Sequence, residues 1–309
     1  AAAVDLGVLL GGAPVDDTTV PDGPSGSSAA AGARRLAALG NPEIDDRTYP
    51  PAVPSSVRHL FRLLGPSERA SQRADPARFG ADRSHRIAEG RAPRDLLDGI
   101  AADLGVGAYD LYTPPASSSS RTPSLAPARN GVVLAALPAR PPVLVMSKAI
   151  VEMGPDAIRF AGARLLRLAA SHLDVALGGT DADLAAWLLG VVSQFVPTYR
   201  RDDVTPDAAA AATARMARLI PRKLRADLLP FALESSGAID AGALALGIRD
   251  GANRVGLLAQ GHLDVGLRVV LALAGRAPSA ESLREHAEAR ALIEFALSDE
   301  HDELVRALA

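Results

Sequence analysis

Between Gly154 and Leu173 the chain reads GPDAIRFAGARLLRLAASHL, and Ile158, Ala161, Gly162, Leu165, Leu166, Leu168, Ala169 and Leu173 cover most of a helix circumference. A helix apolar nearly all round is a buried one, so this segment is the expected centre of a fold. Pro155 suits a first helical residue, and Asp156 sets a negative charge at the positive end of the dipole. Apolar positions keep helical spacing downstream. Thr180 or Asp181 caps a helix running through Trp187 to Val196, where Pro197 ends it, and Thr205-Pro206 opens the next. Pro221 opens RKLRADLLPFALESS, in which Pro230 should kink or break the helix. Asp240 leads into a long helix to Gln260, and after a Gly261-His262 break residues 263–274 resume it. Ser279, or a box of Ser282 and Glu285, caps residues 279–298, and a short tail helix follows.

Upstream the pattern changes. AYDLYTPP (108–115), GVVLAALP (131–138) and PVLVMS (142–147) predict three strands, the last ending in a helical turn. PRDLLDGIAADLGV is an amphipathic helix with Pro93 early and Gly105 after its end. Ser55 or Ser56 caps VRHLFRLLG, where Val57, Leu60, Phe61 and Leu64 recur at helical spacing and Gly65-Pro66 should stop the run. Residues 67–90 read as exposed helix or loop. Before them, the prolines of DDRTYPPAVPSS argue against a helix, and a short helix at 32–39 should end at Gly40-Asn41-Pro42. The Pro/Gly/Ser stretch at 16–32 has too little apolar surface to order itself. The fold class expected is therefore α+β and helix-dominated, with a small sheet and a helical C-terminal half. Residues 1–54 form a loop-rich N-terminal segment, and residues 55–309 a helix-rich domain. The chain does not begin with Met, which suggests a missing upstream region. There is no internal repeat of solenoid length.

Composition narrows the chemistry. Of 309 residues 48% are hydrophobic but only 4% aromatic, so Ala, Leu and Val carry the core. A net charge of −3, from 33 basic and 36 acidic residues, gives no general attraction to nucleic acid or anionic lipid. The absence of cysteine excludes disulfides, thiolate zinc sites and thiol nucleophiles, and suits a reducing cytoplasm. No apolar run is long enough for a membrane span.

Among the six histidines none lies three or four residues from another, so no helix presents a zinc-binding pair. His172-Leu-Asp174 and His262-Leu-Asp264 each place a carboxylate near an imidazole, an acid–base pair or a simple cap. Gly178-Gly179-Thr180 at a helix start is either a phosphate loop or a plain turn. Arg215, Arg218, Arg222, Lys223 and Arg225 make either a solvated face or an anion site.

The order of elements carries a resemblance. DLYTPP, then the stretch from PARNGVVLAALPARPPVLVMSKAIV to LLRLAASHL, resembles HExxH gluzincin metallopeptidases, in which a strand pair at the product-side edge precedes the zinc helix. On that pattern the first His falls on Ala163, the Glu on Arg164 and the second His on Arg167. The third ligand falls on Arg249, with the family's following Asp on Asn253. The resemblance thus implies a degenerate domain that has lost every zinc ligand and the general base. It implies no metal, no cofactor and no catalytic residues. PSSVRHLFRLLGP, RLIPRKLRADLLPFALE, GANRVGLLAQGHLDVGLRVVLAL and ALIEFALSDEHDELVRAL are also similar to the C-terminal region of large deltaproteobacterial proteins with upstream tetratricopeptide repeats. That family brings no established activity. Together these imply a non-catalytic interaction or scaffold domain of a larger bacterial assembly, with protein partners and no nucleic acid. Two alternatives stand beside it. One is a hydrolase or transferase using His172, Asp174, His262 and Asp264; the other is an anion-binding module using Arg164, Arg167 and Arg249. If the alignment holds, the helices at 155–173 and 240–260 are neighbours. Arg164 and Arg167 then either pair with Asp250, with Asn253 hydrogen-bonding beside them, or point to solvent.

Overall fold

The computed structural model describes residues 36–115 and 132–308. The segments 1–12 and 16–32, and most of the loop between the first two predicted strands, lie outside the described residues. The chain is helix-dominated, with one four-stranded mixed sheet. Its main helices are α1 Pro42–Arg47, α2 Ser55–Ser71, α3 Arg94–Asp103, α4 Lys148–Glu152 and α5 Pro155–Ala170. They continue with α6 Asp181–Val192, α7 Pro206–Leu219, α8 Arg225–Glu234 and α9 Ala241–Gln260. The last four are α10 Leu263–Leu273, α11 Ala280–Glu285, α12 Ala287–Ala296 and α13 Asp299–Ala307.

The strands are β1 Arg86–Ile87, β2 Asp110–Tyr112, β3 Leu134–Leu137 and β4 Val143–Met146. Their order is β1-β2-β4-β3, with β2 and β4 parallel and the other two pairs antiparallel. All four β4 residues are buried, which explains why VLVM shows no polar alternation. Leu144 and Met146 join the main core, while Val143 and Val145 join a smaller cluster with Phe79 on the other face. β3 lies at the sheet edge, and the β3–β4 hairpin leads through α4 into α5.

α5 is the buried centre. Leu165 and Leu166 are 1% and 0% exposed, and the helix packs along α9 and against α3, α10 and β3. Gly256 lets α5 and α9 come close, since a Cβ there would sit 2.9 Å from the Phe160 carbonyl oxygen. α5 stops at Ala170, and His172 turns the chain with a left-handed φ of 59°.

Several local expectations are corrected. α2 does not stop at Gly65-Pro66 but runs to Ser71, because Glu68 and Arg69 continue its buried face and outweigh the lost backbone bond. α1 forms across Asp45 and Asp46, capped by the Asn41 side chain, before the prolines begin. α6 ends at Val192 rather than Val196, and α8 holds Pro230 within a continuous helix. Residues 279–298 divide at His286 into α11 and α12, and the His286 ring caps the second. Residues 36–54 are not only loop: Leu36, Leu39, Tyr49 and Val53 belong to the same core as α5.

Candidate functional site: a charged cleft between β3, α5 and α9

Two buried polar groups, Arg164 and Asn253, meet the partly exposed Glu288 where α5, α9 and α12 converge. Arg164 projects from the largely apolar circumference of α5, Asn253 from α9, and Glu288 from the first turn of α12. Glu288 accepts from Asn253 Nδ2 at 3.1 Å, from Arg249 Nε at 3.0 Å and from Arg164 Nη2 at 3.4 Å. Its side chain is 15% exposed, against 9% for Arg164 and 33% for Arg249. Desolvation pushes the Glu288 carboxyl up, but the two guanidiniums and the Asn253 amide outweigh it and hold its pKa below the ordinary value. Burial, and to a lesser extent Arg249, lowers the Arg164 pKa against the opposing pull of Glu288. One carboxylate thus serves two cations. Arg164 Nη1 and Asn253 Oδ1 are buried without a partner.

Arg167, one turn on, takes a different acid. Its guanidinium contacts Asp45 of α1, and Arg58 and Arg62 lie 3.6 and 3.4 Å from the same carboxylate. Arg58 and Arg167 both sit over the Tyr49 ring, 4.8 and 5.2 Å from its centre. Burial brings the Arg167 pKa down to about 10 and raises that of Tyr49 to about 12. Arg167 therefore remains charged and ties α5 to the N-terminal segment.

The expected pairing with Asp250 is corrected accordingly. Asp250 is buried but bonds Arg254, one turn along its own helix, at 3.1 Å. Arg254 also reaches Glu300 at 3.3 Å and stacks on Phe295. The arginines of α5 instead find Glu288 and Asp45, neither of which lies on α9. Asn253 does act as a hydrogen-bonding neighbour. Ala163 is fully buried and contributes no polar group. Arg164 and Arg249 are thus brought together, while Arg167 and Asp250 go elsewhere.

The two His-Leu-Asp tripeptides do not form acid–base pairs. Asp174 is fully buried and held by Arg69 through two bonds of 3.1 and 2.7 Å, with burial raising its pKa to about 6. His172 packs against Gly65, and burial with the nearby Arg69 and Arg62 lowers its pKa to about 4. Asp264 contacts Arg268, and His262 is bonded through its backbone to the Gln260 side chain. Neither carboxylate meets an imidazole.

The glycine turn is likewise occupied. Thr180 N–H and hydroxyl both donate to Asp183 at 2.8 Å, so α6 caps itself with its own acid. Of the arginine run, Arg215 contacts the buried Glu68 and Arg225 covers Phe195, while Arg218, Arg222 and Lys223 are solvated. Glu68 also accepts from Trp187 Nε1 at 2.8 Å. Among the described residues no three His, Cys, Asp or Glu side chains lie close enough to hold a metal. No described helix is long and apolar enough to cross a membrane.

The acids that organise these clusters escaped the sequence reading. Glu288, Leu292 and Phe295 share one helical face, as do Phe61, Leu64 and Glu68, so a lone acid on an apolar stripe is a signal for both. Asp45 carries no such signal.

Arg164 and Arg249 open onto a cleft of about 60 Å³ whose other walls are β3 and the 176–181 turn. Among the described residues β3 pairs on one side only, with β4. No protein-family model, curated protein or solved structure matches this chain.

Proposed function

We propose that the chain is a non-catalytic interaction domain on a metallopeptidase-like frame, and that the cleft between β3, α5 and α9 is its recognition site. The observation that carries the reading is the Arg164–Glu288–Arg249 cluster. It occupies the cleft wall at two positions where the resemblance places the general base and the third metal ligand. A guanidinium has no lone pair to give a metal and cannot act as a base near neutral pH. Glu288 is committed to three donors. The hairpin feeding α5 and the close packing of α5 on α9 are consistent with the same ancestry. A hydrolase built on His172, Asp174, His262 and Asp264 has less support, since arginines hold both carboxylates.

A partner chain is the natural occupant. Among the described residues β3 pairs only with β4, which leaves a short strand edge beside the cleft, and strand edges recognise extended peptides through main-chain bonds. The cysteine-free composition suits such a domain in a reducing cytoplasm. The test is selection of displayed peptides on the purified chain, followed by incubation of the selected peptides with chain and zinc. Binding that weakens in Arg249→Gln, with peptides recovered intact, is the expected result. Zinc-dependent cleavage overturns the non-catalytic assignment, and binding indifferent to Arg249 moves the site elsewhere.

A further inference from the structure

We propose that the cleft is a carboxylate pocket, taking the ionised tip of a short aliphatic acid against Arg164 and Arg249. This rests on the same cleft as the functional reading and names the chemistry that it recognises.

Arg164 is 7% exposed, lines the cavity beside Arg249, and makes a single long bond of 3.4 Å to Glu288. A guanidinium so weakly engaged gains from a carboxylate that enters the cavity. Charge points the same way: Arg164 and the one-third-exposed Arg249 share one carboxylate, Glu288, so the hydrogen-bonded cluster carries one excess positive charge. Asp181 also lines the cavity, but it is exposed at the mouth, where water screens it. One excess charge suits a monoanion, and Glu288 works against a phosphate dianion. Size and lining agree: the cavity is small, about 60 Å³, and walled by Leu134, Leu168 and Leu177 beside the arginines, which suits the end of a short aliphatic chain.

Two sources share this chemistry: a free short-chain acid, and the carboxylate of a peptide. The probes are butanoate with butanamide as its neutral control, and acetyl-Ala-Ala-Leu as the acid and as the amide. Binding is followed on the isotope-labelled full chain by amide shifts of β3, α5 and α9. At least one acid should saturate these shifts and bind at least about tenfold more tightly than its amide. Arg249→Gln should abolish that preference. Ala245→Leu, which fills the cavity without changing charge, should block binding while the remaining spectrum shows the fold intact. Saturation by butanoate identifies the small-molecule source, and saturation by the peptide acid alone identifies a chain carboxylate. Equal binding of acids and amides, or no saturation by either acid, overturns the pocket. If both acids fail while selected peptides still need Arg249, this inference falls and the functional reading stands. If an acid saturates but peptides are cleaved with zinc, the functional reading falls and the pocket stands.

Discussion

Replacing Glu288 by Gln removes the acceptor that Arg164, Arg249 and Asn253 share, and leaves two guanidiniums facing each other in a largely buried site. Bonds to a charged group are worth about 1.5–3 kcal/mol each, and breaking a buried pair by removing one partner costs about 3–5 kcal/mol. Two features reduce the figure here. The Arg164 contact is long at 3.4 Å, and Arg249 is one-third exposed, so water partly replaces the acid. The expected loss is about 2–4 kcal/mol at neutral pH, read from urea unfolding with an unchanged m-value. Substituting the whole cluster, Arg164→Met, Arg249→Leu, Asn253→Leu and Glu288→Leu, should return stability to within about 1 kcal/mol of the wild type, because neither an uncompensated charge nor an orphaned amide remains. The pH dependence follows from the depressed Glu288 pKa. Its contribution is complete above the unfolded value of about 4.3 and is lost as pH falls through the lower folded value. A loss below about 0.5 kcal/mol for Glu288→Gln, or additive effects of Arg164→Met and Glu288→Leu, refutes the cross-link.

Leu165→Ala, at a site 1% exposed in α5, should cost about 2–5 kcal/mol by denaturant unfolding. Gly190→Ala brings a Cβ to 2.8 Å from the Ala212 carbonyl oxygen and should cost about 1–3 kcal/mol by forcing α6 from α7. Trp187 is the chain's only tryptophan; it stacks on Phe61 at 4.0 Å and donates to Glu68, so Glu68→Gln should shift its emission as well as destabilise the fold. His172 has a folded pKa of about 4 against 6.5 unfolded, so the native state binds fewer protons between those values and its stability should fall as pH drops through them. His172→Asn keeps the left-handed turn and should remove about 1–2 kcal/mol of that pH dependence, the figure being reduced for the ring's partial exposure. Measuring the variant against wild type at each pH cancels the opposing titration of Asp174.

The centre of the fold was legible because periodicity reports burial directly: the segment at 155–170 is apolar nearly all round and reaches solvent mainly at its first turns, through Asp156 and Arg159. The strand pair was legible for the same reason. Its register and the parallel pairing of β2 with β4 depend on contacts between segments far apart in the sequence, which no local pattern records. The site was half legible. Arg164 and Arg249 stood out because the resemblance places the general base and the third ligand there, but their acid comes from α12, 124 and 39 residues away. Asp250 looked the nearer partner along the sequence, yet its own helix supplies Arg254 at the i+4 position, and that local geometry prevails. Pro66 shows the opposite failure: a local breaker is overridden by the buried face of Phe61, Leu64, Glu68 and Arg69.

The central claim is that the β3–α5–α9 cleft binds without cutting. A photoreactive residue at Asp181, on the rim of the cleft, tests it directly when the chain is irradiated with selected peptides in the presence of zinc and the adducts are weighed. The account predicts adducts carrying whole peptides, formed at position 181 and not at the solvated Arg218 control. Truncated peptides that require zinc, or equal labelling at the two positions, would contradict it.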